Sequence, residues 1–218
     1  MPKRLKIDFV SDISCPWCAI GLTALEQALA EVQDEAAVDL HVQPFELNPA
    51  MPAGGQDVEE HLTQKYGSTP EQQAQIRATI AQRGADVGFV FNPDGRGRIY
   101  NTFDAHRLLH WAGLASATQQ LALKKALLVA CHGQRQVMDS HAVLLAAVAQ
   151  AGLDVARAAA VLESDEFASA VRAAEAFYTD LGIHSVPAVI VNDRHLISGG
   201  QPAAIYAQAL RRIASENL

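Results

Sequence analysis

Large apolar residues alternate with polar ones near the start of the chain. Residues 5–11, "LKIDFVS", place them at every second position: Leu5, Ile7 and Phe9. A repeat of two residues predicts a β-strand with one well-buried face. The same alternation returns in "VDLHVQPFEL", residues 38–47, before Asn48-Pro49 ends it. Two short strands are therefore predicted within the first 48 residues.

A helix is predicted between these two strands. From Pro16 onward, large apolar residues recur at spacings of three and four: Leu22, Leu25, Leu29 and Val32. This spacing is typical of an amphipathic helix. Proline is tolerated in a first turn because its missing N–H has no helical partner there. The chain thus begins with a β-α-β unit, and the residues before Pro16 form the turn from strand to helix.

The middle of the chain carries a helical pattern. Residues 50–55, "AMPAGG", predict a linker, and residues 92–95, "NPDG", predict a turn. Seven segments show helical spacing: 57–66, 70–84, 102–111, 117–131, 140–151, 155–162 and 165–181. Because several of them are rich in Ala and Leu, we expect them to pack together as one helical block.

Strand signals return at the end of the chain. Residues 187–192, "PAVIVN", and 195–198, "HLIS", predict a hairpin around Asp193-Arg194, and Pro202 opens a last helix. The apolar face predicted for that helix includes Ile205, Leu210 and Ile213. An isolated hairpin is at best marginally stable, so we expect the two ends of the chain to share one sheet.

The predicted fold is therefore α/β, with the order β-α-β, a helical block and β-β-α. Residues 1–49 and 182–218 would form one discontinuous domain, and residues 50–181 would form an all-helical insertion.

Composition and charge narrow the classes of partner and compartment. The chain has 218 residues, of which 50% are hydrophobic, and this is enough to build a sizeable core. Its net charge of −7 offers no basic field to nucleic acid or to an acidic membrane surface. Asp8 and Asp12 interrupt the apolar N-terminal run, as a secretory signal would not allow, and no apolar segment reaches transmembrane length. We expect a cytoplasmic protein with neither nucleic acid nor membrane as a partner.

The spacing of the cysteines introduces chemistry. Cys15 and Cys18 stand two residues apart in "CPWC", at the predicted strand-to-helix turn, and Cys131 is the third cysteine. A structural zinc site usually needs four Cys or His ligands, and Cys131-His132 does not complete a recognisable spacing. We therefore expect no metal. A purely structural role is commoner for scattered thiols than for a close pair.

A redox role explains more of the features around this pair. At a helix N-terminus, unpaired N–H groups and the helix dipole favour the thiolate form of the first cysteine. Cys15 would then attack a disulfide, and Cys18 would resolve the mixed disulfide that forms. Cys131 is expected to be a small buried residue, and Asp12 either forms a turn or influences the proton of Cys15.

The segment "SDISCPWCAIG" resembles the active-site turn of the DsbA-like branch of the thioredoxin superfamily, in particular its FrnE-type members. Three later segments resemble the family in the same order: "PFELNP" at 44–49, "NTFDAHRLLHWA" at 101–112 and "GIHSVPAVIVNDRHLISGGQP" at 182–202. The resemblance covers essentially the whole chain. It implies a thioredoxin core with a helical insert, thiol-disulfide oxidoreductase activity and no bound organic cofactor.

The resemblance also implies further site residues. The Val186-Pro187 bond would be cis, with the backbone of Val186 exposed beside Cys15 to pair with an extended substrate. Trp17 is expected to form a contact surface for substrate or to pack against the insert. Asn101 and His106 would help to shape the substrate surface. His106 and His110 also form an H-x-x-x-H pair, but no third metal ligand is evident.

Two other classes of function stay open. The same superfamily branch includes glutathione-dependent enzymes, the 2-hydroxychromene-2-carboxylate isomerases and kappa-class glutathione transferases, which typically carry serine at the nucleophile position. A non-enzymatic chaperone-like or metal-binding module is the other alternative. The expected partners are protein or small-molecule thiols and disulfides, with glutathione among them and a homodimer as an open alternative. The pattern does not indicate the direction of electron flow.

Overall fold

The two ends of the chain form one mixed sheet in the computed structural model, which describes residues 3–216. The helices and strands follow in this order: β1 (Lys3–Ser11), α1 (Pro16–Glu31), β2 (Ala36–Pro44), β3 (Gln56–Asp57), α2 (Val58–Tyr66), α3 (Pro70–Val87), β4 (Arg98–Ile99), α4 (Phe103–Ala115), α5 (Ala117–Leu128), a π-helical turn (Val129–Gly133), α6 (His141–Gln150), α7 (Val155–Leu162), α8 (Ala168–Asp180), β5 (Ala188–Val191), β6 (His195–Ser198) and α9 (Ala203–Ser215). The strand order is β2-β1-β5-β6. β1 pairs parallel with β2 and antiparallel with β5, so the shared sheet predicted from the sequence is confirmed.

β1 lies at the centre of this sheet and is buried on both faces. Leu5, Ile7 and Phe9 pack in one core cluster with side chains of α1 and α9. On the opposite face Val10 packs with Tyr178 of α8. Asp8 is also buried there, where it forms an ion pair with Lys6 at 3.0 Å. The prediction of one well-buried face was therefore too narrow, because helices cover both sides of the sheet.

The middle of the chain is helical, as predicted, with two local differences. α5 gives way to a π-helical turn at Val129, where the sequence pattern predicted regular helix through Cys131. β3 and β4 form a small antiparallel pair that follows the predicted linker and the predicted turn, and β3 includes Asp57, where a helix was predicted to begin. Side chains of α4 to α7 build a second core cluster, which also contains Ile13 from the segment before Cys15. The insert therefore packs directly on the active-site turn.

The C-terminal hairpin and helix differ from prediction in detail. The hairpin turn places Asn192 and Asp193 at φ values of 53° and 55°, one residue earlier than predicted. In α9 the buried positions are Tyr206, Ala207, Leu210 and Ile213. Ile205 is 45% exposed, because it precedes Tyr206 by one residue and so points about 100° away from that face.

The two ends of the predicted discontinuous domain, residues 1–2 and 217–218, lie outside the described residues. Within residues 3–216, no helix is both long enough and apolar enough to cross a bilayer.

Candidate active site

Cys15 and Cys18 lie at the start of α1, directly after the turn that follows β1. Cys15 is the N-cap residue, and its carbonyl accepts a hydrogen bond from the Cys18 N–H at 3.0 Å. Both thiols are free, with Cys15 4% exposed and Cys18 0% exposed. Of the pair, Cys15 is therefore the thiol that a substrate can approach.

The two thiols differ in acidity. A hydrogen bond from the Cys18 thiol lowers the pKa of Cys15, and the N–H groups of Cys18 and Trp17 act in the same direction against the effect of burial. Burial raises the pKa of Cys18 well above its ordinary value, and the neighbouring Cys15 raises it further. The site thus favours a thiolate at Cys15 and a protonated thiol at Cys18.

The loop before β5 forms the opposite wall of the site. The Val186-Pro187 bond is cis, as the resemblance implied. The Sγ atom of Cys15 lies 3.5 Å from the carbonyl oxygen of Val186. Gly21 of α1 permits this close approach, because a Cβ atom added there would lie 2.9 Å from the Cγ atom of Pro187. The predicted neighbours of Cys15 are therefore brought together.

Asp12 is the polar centre beneath the cysteines. Its buried carboxylate accepts hydrogen bonds from the Ser14 N–H (3.0 Å), the Ser14 hydroxyl (2.8 Å), the Leu47 N–H (2.7 Å) and the Thr102 hydroxyl (2.9 Å). Burial would raise the pKa of Asp12, but the nearby His106 ring and the N–H groups of Leu47 and Ser14 outweigh it and hold that pKa well below its usual range. The sequence had suggested either a turn-forming residue or an influence on the proton of Cys15. The charge of Asp12 does raise the pKa of Cys15, and its hydrogen bonds join three chain segments.

The insert also holds the backbone of the active-site loop, which we define as residues 11–14. Three side chains from outside the thioredoxin core donate hydrogen bonds to its carbonyl groups. These are Lys124 Nζ to Ser11 (3.5 Å), His132 Nε2 to Ile13 (2.9 Å) and Arg96 Nη1 to Ser14. The conformation of the turn before Cys15 therefore depends on the insert.

Lys124 and His132 are buried donors that sequence reasoning missed. Lys124 is 0% exposed, and burial lowers its pKa, although the neighbouring thiols and Asp12 offset part of the effect. Burial also lowers the pKa of His132 to about 3, so the ring is neutral and its Nε2–H donates to Ile13. For Lys124 a signal existed in the sequence, because it precedes Leu127 and Leu128 by three and four residues and so lies on the apolar face of α5.

Two of the predicted substrate-binding residues have structural contacts. Trp17 is half-buried and packs against the core that α1 shares with the sheet. Asn101 accepts a hydrogen bond from the Phe103 N–H at 2.9 Å, and its amide donates to the carbonyls of Pro49 and Met51. Asn101 thus secures the segment after β2. A substrate-binding role for either residue stays a prediction.

His106 does not lie at the surface that the sequence suggested. It is 1% exposed, and its Nε2 atom lies 3.6 Å from Asp12 Oδ1. The reason is that the first turns of α4 pack onto the active-site loop, which turns His106 inward. A role for His106 in shaping the substrate surface stays a prediction.

Cys131, His106 and His110 do not come together as metal ligands. Burial raises the pKa of Cys131 to about 12, which agrees with the small buried residue predicted there. His110 packs against Phe167 with ring centroids 5.3 Å apart, whereas His106 lies beside Asp12. Within residues 3–216, no group of three His, Cys, Asp or Glu side chains is arranged to hold a metal ion.

A protein-family model and several solved structures match this chain. A family model described as a DSBA-like thioredoxin domain matches residues 6–211. No curated protein matches the chain. Among solved structures, the probable DsbA oxidoreductase of Streptomyces coelicolor is 32% identical, with a TM-score of 0.90 over 98% of this chain and 92% of that chain.

Two more distant structures share the fold. A 2-hydroxychromene-2-carboxylate isomerase is 14% identical, with a TM-score of 0.69 over 95% of each chain. The cytosolic disulfide reductase DsbM from Pseudomonas aeruginosa, solved with GSH, is 18% identical, with a TM-score of 0.64 over 95% of this chain and 98% of that chain. Because the family model spans nearly the whole sequence, the chain belongs to the DSBA-like thioredoxin domain family and is a thiol-disulfide oxidoreductase.

Proposed function

We propose that the protein exchanges disulfides through Cys15 and Cys18. The observation that carries this proposal is the geometry of the pair: Cys15 is the N-cap residue of α1 with its Sγ atom 3.5 Å from the Val186 carbonyl, and Cys18 is fully buried. This arrangement lowers the pKa of Cys15 and raises the pKa of Cys18. A thiolate attacks faster than a thiol, and a buried protonated neighbour stays unreactive until a mixed disulfide has formed. The residues that would perform the reaction are therefore Cys15 as nucleophile and Cys18 as resolving thiol.

The reaction in the reducing direction has two steps. The Cys15 thiolate attacks one sulfur of a substrate disulfide, forms a mixed disulfide and releases the first substrate thiolate. Cys18 then attacks the Cys15 sulfur as its proton passes to the departing second thiolate, and this leaves a Cys15–Cys18 disulfide. Two electrons pass from the protein dithiol to the substrate, and an external thiol restores the dithiol.

The backbone at Val186 would position an extended substrate. Its carbonyl lies beside the Cys15 sulfur, so a peptide could pair with this segment as a short added strand. The substrates would be protein or low-molecular-weight disulfides, as expected if the protein is a FrnE-type member of the family. Likeness to DsbM, which was solved with GSH and is described as cytosolic, supports glutathione as a partner and a cytoplasmic location.

Trapping of the mixed disulfide tests this proposal. We expect Cys18→Ser to accumulate a mixed disulfide at Cys15 with bis(hydroxyethyl) disulfide, detected by intact mass and peptide mapping, while turnover with dithiothreitol falls to the uncatalysed rate. Cys15→Ser should form no such adduct, and Cys131→Ser should behave as the wild type because Cys131 is buried and its pKa is raised.

Two results would contradict the proposal. One is unchanged disulfide turnover in Cys15→Ser. The other is glutathione-dependent isomerase activity that survives Cys18→Ser in a protein with no disulfide turnover at all, which would favour the isomerase alternative.

A further inference from the structure

A cavity of about 500 Å³ lies at the start of α1, between α2, α3 and the loop of residues 91–97. Pro16, the residue after Cys15, forms part of its wall. Small-molecule sites typically measure roughly 300–1,000 Å³, so this cavity can hold a small ligand against the residue that follows the nucleophile. We call it the Pro16 pocket. Its apolar lining includes Leu62, Ile76, Ile80 and Phe91.

Most charged side chains of the Pro16 pocket already have partners. Arg77 forms an ion pair with Glu59 at 3.1 Å. Asp57 accepts hydrogen bonds from two N–H groups in the first turn of α2. Asp94 lies 3.7 Å from Arg135. These groups are therefore engaged within the protein and are poorly placed to bind a further charge.

Arg96 differs from the other charged residues of the pocket. Arg96 forms no ion pair with any side chain of residues 3–216, and its guanidinium donates a hydrogen bond to the carbonyl of Ser14. That bond uses one Nη1 donor, whereas a guanidinium has five N–H donors and favours bidentate contact with a carboxylate. Arg96 therefore offers a cation with free donors beside Ser14, the residue that precedes Cys15.

We infer that the Pro16 pocket selects small disulfides that carry both an apolar, ring-sized group and a carboxylate. The apolar group would pack against Ile76, Ile80 and Phe91, and the carboxylate would bind Arg96. This inference rests on the proposed exchange at Cys15 and names the substrate class for it. The steps are those given above: the bound disulfide receives two electrons, its S–S bond breaks, and its two halves leave, one as a thiolate and one as a thiol, while the Cys15–Cys18 bond forms.

Paired disulfide probes test the role of Arg96. Reduced protein is mixed with dithiobis(nitrobenzoate), an aromatic disulfide with two carboxylates, or with dithiodipyridine, a neutral aromatic disulfide, and the absorbance of the released thiol gives each rate constant. We expect Arg96→Gln to slow the reaction with the dianionic probe about tenfold more than the reaction with the neutral one, the size of one hydrogen bond to a charged group. Arg96→Lys should restore part of this preference because it keeps the charge.

Arg98→Gln is the matched control. It removes the same charge two residues along, from a side chain that donates to the carbonyls of Gly54 and Gly55. We expect it to leave the ratio of the two rate constants within about twofold of wild type, since the charge it removes is exposed and screened. Ile76→Trp, which fills the pocket, should slow both aromatic probes relative to bis(hydroxyethyl) disulfide.

The outcomes separate this inference from the proposed function. An equal loss for both probes in Arg96→Gln, or an equal change of the ratio in Arg98→Gln, would overturn the inference while disulfide exchange stands. If reduced wild-type protein reacted with all three disulfides no faster than Cys15→Ser does, the proposed function itself would fail. Circular dichroism and urea midpoints of each variant confirm that the comparison is made between folded proteins.

Discussion

Asp12 holds an ionised carboxylate in a position from which water is excluded, and its hydrogen bonds determine what a substitution there does. An amide in its place would direct an N–H donor at the backbone N–H of either Ser14 or Leu47, which is itself a donor. We expect Asp12→Asn to lower the free energy of unfolding by about 2–3 kcal/mol, the cost of unsatisfied buried polar groups. Because the charge of Asp12 raises the pKa of Cys15, the same substitution should lower that pKa further.

Urea unfolding and the pH dependence of Cys15 alkylation measure the two effects of Asp12→Asn. Asp180→Asn, at an exposed position at the end of α8, serves as the control. A rise in the pKa of Cys15 in Asp12→Asn would show that Asp12 acts mainly through the shape of the loop.

His132 links stability to pH. Burial lowers its pKa from 6.5 to about 3, so the unfolded chain binds a proton at this ring before the folded protein does. The contribution of His132 to the free energy of unfolding is therefore fully present above about pH 6.5. It is lost as the pH falls toward 3, by about 1.4 kcal/mol per pH unit. We expect urea titrations between about pH 7 and pH 5 to show a shallower decline for His132→Gln than for wild type.

Comparison of the two proteins isolates the effect of His132, because other shifted groups are present in both. Among them, Glu46 and Glu175 have raised pKa values. Their effect is opposite to that of His132, because protonation of these carboxylates stabilises the folded protein as the pH falls. Parallel pH profiles for wild type and His132→Gln would contradict the assignment.

Site residues that belong to short sequence motifs could be predicted, whereas residues that reach the site through contacts between distant segments could not. Cys15, Cys18 and Pro187 belong to short motifs, and their meeting was implied by a family resemblance. Lys124, His132 and Arg96 contact the active-site loop from positions 82 to 119 residues away along the chain. No spacing rule connects such positions, and although Lys124 stands out on the apolar face of α5, nothing in the sequence assigns any of the three to a loop carbonyl.

The contact between α1 and the loop before β5 depends on a residue without a side chain. A Cβ atom at Gly21 would lie 2.9 Å from Pro187 and 3.2 Å from the Cα atom of Gly200. We expect Gly21→Ala to lower stability by about 1–2 kcal/mol, since overpacking outweighs the gain in helix propensity. Displacement of Pro187 should also speed the alkylation of Cys15, because the Val186 carbonyl, which accepts from the Cys15 thiol, moves with it.

Ala28→Gly is the matched control for this helix. Ala28 is buried in α1, so the variant should lose about 1–2 kcal/mol through helix propensity and the loss of one buried methyl group, with Cys15 alkylation unchanged. If both variants altered the alkylation rate equally, general loosening of α1 would be the cause.

Helices and strands were predicted more fully than their irregular parts. The seven helical segments of the middle of the chain are present with shifted bounds, because amphipathic spacing is a local property. The π-helical turn at Val129–Gly133 was missed. It depends on contacts with other segments, since its His132 carbonyl accepts a hydrogen bond from the Asn92 N–H at 2.9 Å.

Thioredoxin-like and inserted segments contribute jointly to the hydrophobic clusters of residues 3–216. Val87 and Leu128 of the middle segment lie in the cluster built on the sheet, and Ile13 lies in the cluster of the insert. We propose that residues 1–49 with 182–218 and residues 50–181 are two parts of one folding unit, although the sequence order divides them.

Fluorescence from the two tryptophans tests this unity. Trp17 packs in the sheet cluster and Trp111 in the insert cluster. We expect Trp17→Phe and Trp111→Phe, each with one reporter left, to give urea midpoints that coincide with each other and with circular dichroism, after correction for the stability of each variant. Separate transitions in one variant would show that the insert unfolds on its own.

Three bonds from the insert to the active-site loop, those of Lys124, His132 and Arg96, end on backbone carbonyls, which every amino acid supplies. A fourth joins the Thr102 hydroxyl to the side chain of Asp12. The shape of the loop is thus imposed without any demand on the side chains of Ser11, Ile13 or Ser14 for these bonds. The Pro16-Trp17 dipeptide likewise lies outside these contacts. Libraries that randomise this dipeptide should therefore retain the loop conformation. The reduction potential of the Cys15–Cys18 couple could then be varied without a change in the fold around it.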